Sequence, residues 1–175
     1  EMTFAVNVLA PFLLTHLLLD LLQASAPSRI INVGSALHKQ AQFDFADVQM
    51  RRRYDGLRAY NNSKLALLWF TYALARRLEG TGVTVNALHP GMVKSNLTAR
   101  NGGFYKWIVQ PLFNLQAISA EQGAQTSVYL ASSPEVEGVT GKYFGKCKEW
   151  QSSPASYDVD AQERLWRLCA EMTGV

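Results

Sequence analysis

Cysteine is scarce in this 175-residue chain. Its two representatives, Cys147 and Cys169, have neither a metal-ligand spacing nor a C-x-x-C redox pattern, which offers no cysteine metal site or dithiol chemistry and fits a reducing compartment, with the cytoplasm as the expected location. A strong charge of one sign is also lacking. Seventeen Lys and Arg stand against 14 Asp and Glu, a net charge of +3, and the single basic run, Arg51-Arg52-Arg53, reads as a solvated loop corner. Nucleic acid is therefore not an expected partner. The composition, 48% hydrophobic and 18% charged, carries no disorder signature, and the chain shows no internal repeats and no low-complexity tract. The apolar stretch from Phe4 to Leu22 is not expected to be a signal peptide: it has no basic region before it and is interrupted by Asn7, Thr15, His16 and Asp20. It is expected to be a buried helix rather than a membrane span. The chain opens inside that helix without an initiator Met or a preceding cap, which suggests the C-terminal part of something longer.

The length suits one domain, 1–175, with a real core. From Met2 to Leu22 apolar residues occupy nearly every face, with Pro11 expected to kink the helix. Ala26-Pro27-Ser28 ends it, and Arg29-Ile30-Ile31-Asn32-Val33 reads as a short buried strand with Gly34-Ser35 at its C-terminal end. A long irregular stretch, 36–56, precedes a helix predicted from about Asp55 to Glu79, whose core stripe is Leu67, Phe70, Leu74 and Leu78. Val83 to Leu88 is the next strand, closed by His89-Pro90-Gly91. Helix followed by strand, twice over, predicts a parallel sheet covered on both faces. Residues 92–118 are irregular and rich in aromatic groups (Phe104, Tyr105, Trp107, Phe113), which suits a hydrophobic lid. A docking surface for a second copy would have the same composition, so a homo-oligomer stays open. Ser119-Ala120-Glu121-Gln122 is a capping box opening a further helix, Gly141 to Phe144 a last strand, and Asp160 with Glu163 the start of a final helix with Leu165, Leu168, Cys169 and Met172 on its apolar face.

The chemistry concentrates at Tyr60-Asn61-Asn62-Ser63-Lys64. Tyr60 and Lys64 are one helical turn apart on the same face, so the ammonium sets a positive field near the phenol. A cation favours the phenolate and moves tyrosine from its ordinary value of about 10 toward a useful acid-base range. Open parallel sheets bind ligands at the C-terminal ends of their strands, and Ser35 and the Pro90-Gly91 turn both fall there. A serine hydrolase is the competing enzyme class, since His38 and His89 accompany Ser35, but the nucleophile elbow needs glycines where this chain has Val33 and Leu37.

Taken together, Phe4-Ala5-Val6-Asn7, Asn32-Val33-Gly34-Ser35, Tyr60 to Lys64, His89-Pro90-Gly91-Met92-Val93 and Pro134-Glu135-Val136-Glu137-Gly138 resemble the C-terminal two thirds of a short-chain dehydrogenase/reductase. The resemblance is closest to the branch of retinol dehydrogenases and the WW-domain-containing oxidoreductase. It implies an α/β fold, the C-terminal part of a Rossmann-type doubly wound parallel sheet lacking its first βαβ units. It also implies an oxidoreductase interconverting an alcohol and a carbonyl, with NADP, or else NAD, as cofactor and a lipophilic small molecule as substrate. By that resemblance Tyr60 is the general acid or base, and Lys64 depresses its pKa and binds the nicotinamide ribose. Ser35 binds the substrate oxygen, and Asn7 helps hold a water that connects Lys64 to solvent. Pro90, Gly91 and Val93 contact the nicotinamide carboxamide, with Ser95 in place of the usual threonine. No metal is implied. Gly34 departs from the serine common at its position. A second departure is larger: the sequence contains no glycine-rich phosphate turn leading into a helix. The rival expectation is accordingly a non-catalytic remnant or interaction module.

Overall fold

A computed structural model describes residues 1–93 and 117–175. The first helix, α1, runs over Met2–Ala24. Contrary to expectation its start is capped: the Glu1 carboxylate accepts from the amides of Thr3 and Phe4 at 2.7 and 2.9 Å. Pro11 cannot donate to the carbonyl four residues back, and the helix responds by widening into a π-helical turn over Ala5–Leu9.

Burial corrects a second expectation. Only Phe4, Val8, Phe12 and Thr15 are buried in α1, whereas Val6, Leu14, Leu17, Leu18 and Leu21 are exposed. The helix has a packing partner on one side, where Phe12 meets Phe70 with ring centroids 5.3 Å apart, so only that stripe leaves water. By length and composition alone α1 is long and apolar enough to cross a membrane.

Strand β1, Ser28–Val33, pairs in parallel with β2, Val83–His89, with Ile30 opposite Val85 and Val33 opposite Leu88. β2 pairs in parallel with β3, Tyr143–Gly145. The sheet is not wholly parallel: β4, Lys148–Trp150, folds back antiparallel on β3, giving the order β1-β2-β3-β4. Lys146 and Cys147, both left-handed at φ 52° and 58°, form the two-residue turn of this hairpin. Neither residue is the Gly, Asn or Asp that normally announces such a turn, so the sequence hid it.

Helix α2, Gly56–Arg77, starts at Asp55, whose carboxylate accepts from the Arg58 amide at 2.8 Å. Every side chain from Leu65 to Ala75 is buried. The expected stripe is thus too narrow, because α2 is enclosed by α1, the sheet, the loop aromatics Phe43 and Phe45 on Trp69, and the last helix. That helix, α4, spans Val159–Thr173, is capped by Asp158 rather than Asp160, and closes at Gly174 with φ 76°. Leu165 and Cys169 are buried as expected, but Met172 is exposed. Alternation along β2 divides the layers. Val83 and Val85 join the core around α2, and Ala87 packs with Leu68 and Tyr72 of the same helix. Leu88 faces the other way, onto Leu130 of α3, Ala120–Ser132. The Ser119 and Gln122 capping box holds as predicted. Helices on both faces of a mainly parallel sheet bear out the α/β expectation.

Candidate active site

At the C-terminal end of β1 the chain passes through Gly34, whose amide donates to the Leu88 carbonyl at 2.7 Å. A Cβ added to Gly34 would lie 3.0 Å from that same oxygen, which accounts for glycine where the resembled family commonly has serine. Ser35 follows, 7% exposed, with extended backbone at φ −156° and ψ 148°. Its Oγ accepts from the Leu37 amide at 3.2 Å, capping the 3-10 helix Ala36–Gln40. Among the described residues nothing accepts the Ser35 hydroxyl proton, so that O–H can donate to a ligand oxygen.

The expected pair on α2 stands beside this strand end. Lys64 Nζ donates to the Val33 carbonyl at 2.9 Å and lies 5.6 Å from the centroid of the Tyr60 ring. Burial pulls the Lys64 amine below its ordinary value. Asn7 projects from the π-helical turn of α1, and its Nδ2 donates to Ser63 Oγ at 3.0 Å. Ser63 in turn donates to the Tyr60 carbonyl at 2.7 Å. Asn7 therefore meets the pentad through Ser63, a residue without an assigned role in the sequence reading, rather than through Lys64 itself.

The turn after β2 comes close to the same strand ends. Gly91 has φ 89°, and a Cβ there would lie 2.8 Å from Ile118 Cδ1, so both conformation and space require glycine. Val93 bridges Ile118, whose amide donates to the Met92 carbonyl at 2.8 Å. Gly123 on α3 leaves room for the Val93 side chain, which a Cβ at 123 would strike. Pro90 is half-buried at the start of this turn. Ser95 and the aromatic residues of the expected lid, Phe104, Tyr105, Trp107 and Phe113, lie outside the described residues.

Two histidines, candidate bases for a hydrolase, instead brace the loop that carries Ser35. His89 Nδ1 accepts from the Ala36 amide at 3.2 Å, tying the end of β2 to the Ser35 loop. His38 Nδ1 donates to the Ser35 backbone carbonyl at 2.6 Å. Neither ring bonds Ser35 Oγ, so the base a hydrolase needs is not in place. Their signal was spacing: one lies three residues after the serine, the other directly before the Pro90-Gly91 turn.

Known proteins share the sequence and the fold of this chain. The family model for short chain dehydrogenases takes in residues 1–104. Human retinol dehydrogenase 14 is 50% identical over 179 residues, covering 100% of this chain and 53% of its own length. Mouse retinol dehydrogenase 13 is 46% identical over 180 residues, again covering 100% of this chain and 54% of its own. The chain thus spans about half the length of these relatives. Among solved structures, an uncharacterized protein from Mycobacterium paratuberculosis superposes with a TM-score of 0.74 at 26% identity, covering 100% of this chain and 59% of the other. A blue fluorescent protein from a metagenomic library, in complex with NADPH, gives 0.54 at 31% identity over 79% and 51%. Since the matched residues include Asn7, Ser35, Tyr60 and Lys64 in the order the resemblance demanded, the chain belongs to the short chain dehydrogenase family.

Proposed function

We propose that the protein is an NADP(H)-dependent oxidoreductase that interconverts an alcohol and a carbonyl on a lipophilic substrate, with Tyr60 as general acid and base. The observation that carries this reading is the half-buried Lys64 ammonium, held on the Val33 carbonyl at the end of β1 and one helical turn from Tyr60. When bound, the nicotinamide supplies or accepts the hydride. Every other part of the reaction falls to residues of this chain. In the reducing direction Ser35 Oγ–H donates to the carbonyl oxygen and orients it. Tyr60 gives that oxygen its proton as negative charge develops there, and the Lys64 charge stabilises the tyrosyl oxygen as the proton leaves. In the oxidising direction Tyr60 removes the hydroxyl proton. Asn7, through Ser63, fixes the backbone at Tyr60 from the α1 side.

The donor set fits the nicotinamide end of such a cofactor: an ammonium for ribose hydroxyls and, at Gly91, a tight backbone turn near the same strand ends. It does not extend to the pyrophosphate, for which the sequence has no glycine-rich turn. NADP is favoured by the NADPH in the blue fluorescent protein structure, and a lipophilic substrate by the names of the retinol dehydrogenases. Tyr60→Phe in the full-length protein tests the mechanism. Turnover of all-trans-retinaldehyde with NADPH should fall by about 10²- to 10⁴-fold with thermal stability unchanged. Turnover like that of the native protein would refute it.

A non-catalytic interaction module is the second reading, favoured by the apolar stripe that α1 exposes. Micromolar binding of NADPH by the 175-residue chain would count against it.

A further inference from the structure

Among the described residues, one almost fully enclosed polar ring has no part in the mechanism above. His38 is 1% exposed, and both of its nitrogens are engaged. Nδ1 bonds the Ser35 carbonyl at 2.6 Å, and Nε2 bonds the Ser153 amide at 2.9 Å. A carbonyl can only accept and an amide N–H can only donate, so the pairing assigns one form: a neutral ring with its proton on Nδ1. Burial, helped by the nearby Lys39 charge, holds its pKa below the ordinary value and keeps that form. The ring also packs edge-on against Tyr143, with centroids 5.2 Å apart.

What stands behind His38 is rigid. Ser152 Oγ shares hydrogen bonds with the Tyr72 hydroxyl at 2.7 Å and with Ser156 Oγ at 2.6 Å. Trp69 Nε1 donates to the Ala155 carbonyl at 2.8 Å, and Gln162 Nε2 to the Ser156 carbonyl at 2.8 Å. Residues 152–156 are therefore pinned to α2, the helix that carries Tyr60 and Lys64, and to α4. On the other side, the Ser35 carbonyl takes the His38 amide at 3.2 Å as well as the ring, and Ser35 Oγ is committed to the Leu37 amide. Moving the ring moves the serine.

We propose that His38 is a positioning residue for Ser35, transmitting the position of the wall at 152–156, and through it of α2, to the serine hydroxyl. The wall is pinned to the helix that carries Tyr60, so the relay keeps the two groups that meet the substrate oxygen in register. This rests on Ser35 binding that oxygen, as read above. A misplacement of about 1 Å in such a group costs about 10²-fold in rate.

Two amides separate the halves of the relay. Asn carries its amide nitrogen about where histidine has Nδ1, and Gln carries its amide oxygen about where histidine has Nε2. His38→Asn thus keeps the bond to Ser35 and drops the one to Ser153, while His38→Gln does the reverse. In the full-length protein, with NADPH and all-trans-retinaldehyde as probes, His38→Gln should lower kcat by about 10- to 100-fold with KM changed less than about threefold. His38→Asn, which cuts the link to the wall, should lower kcat by a similar factor, again with KM changed less than about threefold. A KM that rises in step with the loss of kcat makes His38 merely structural and overturns the relay, and so does a native kcat in His38→Asn or in His38→Gln. Ser35→Ala, run alongside, isolates the premise: if it turns over normally, the reading of Ser35 fails and the relay with it. If neither His38 variant folds, the ring-nitrogen ¹⁵N spectrum of the native protein decides. It must show His38 as the neutral Nδ1–H form from about pH 6 to 8. A titrating ring, or a proton on Nε2, overturns the proposal.

Discussion

Asn7 shows how a single residue gains meaning from its contact. From the sequence it is a polar interruption in an apolar helix. In the fold its amide reaches Ser63, which is fully buried on α2, across 56 positions of chain. A buried hydroxyl deprived of its partner loses about 1 kcal/mol. Asn7→Ala and Ser63→Ala should each destabilise by about 1–2 kcal/mol, and the double variant by about 1 kcal/mol less than their sum. Strict additivity in a denaturant titration would show the contact to be idle. His38 and His89 make a second prediction at this scale. Burial lowers both pKa values below the ordinary 6.5, so the folded state prefers both rings neutral. An unfolded chain takes up their protons first as the pH falls. Stability is therefore full above the unfolded value of 6.5 and declines as the pH drops through the lower folded values. Unfolding free energy measured from pH 8 down to about pH 5, still above the carboxylate range, should fall for the native protein and fall less for His38→Asn. A flat native profile would refute it.

Among the elements, the sequence was most legible where the signal is local. The Ser119 capping box and the Asp55 start of α2 depend on neighbours within a few positions, and both appear as read. The β3–β4 hairpin and the full enclosure of α2 depend on partners far along the chain, and no periodicity records them. Gly123 belongs with these. Within α3 it is a poor helix former with no evident purpose, yet it is where the Val93 side chain docks. Gly123→Ala should gain helix propensity and still destabilise by about 1–3 kcal/mol, because the added methyl meets Val93. Val93→Ala in the same protein should restore most of that loss. Thermal melts of the three variants check it, and a stabilised Gly123→Ala would rule out the docking.

Two features of the whole molecule bear on its behaviour in isolation. Among the described residues β1 is a sheet edge, and α1 turns Val6, Leu14, Leu17, Leu18 and Leu21 outward. Contiguous apolar surface beside an unpaired strand favours association. The 175-residue chain should therefore self-associate at micromolar concentration in sedimentation experiments, and Leu17→Glu with Leu21→Glu should shift it toward monomer. A monomeric native chain would contradict this. The same chain should bind NADPH with a dissociation constant weaker than about 1 mM, since nicotinamide contacts alone must offset the cost of association. Calorimetric titration gives the answer, and micromolar affinity would show that the phosphate contacts are supplied elsewhere.

The sequence by itself determined the family, the α/β alternation and the order Asn7, Ser35, Tyr60, Lys64, because each is written in short motifs and local periodicity. It also carried Tyr60 and Lys64 onto one helical face, since 3.6 residues per turn leaves no alternative. Only the tertiary structure decided what holds these residues in place. Lys64 on the Val33 carbonyl, Asn7 on Ser63, and His38 between Ser35 and Ser153 each join residues 31 to 115 positions apart. Such pairings arise from how α1, α2 and the sheet pack, and packing depends on the whole chain at once.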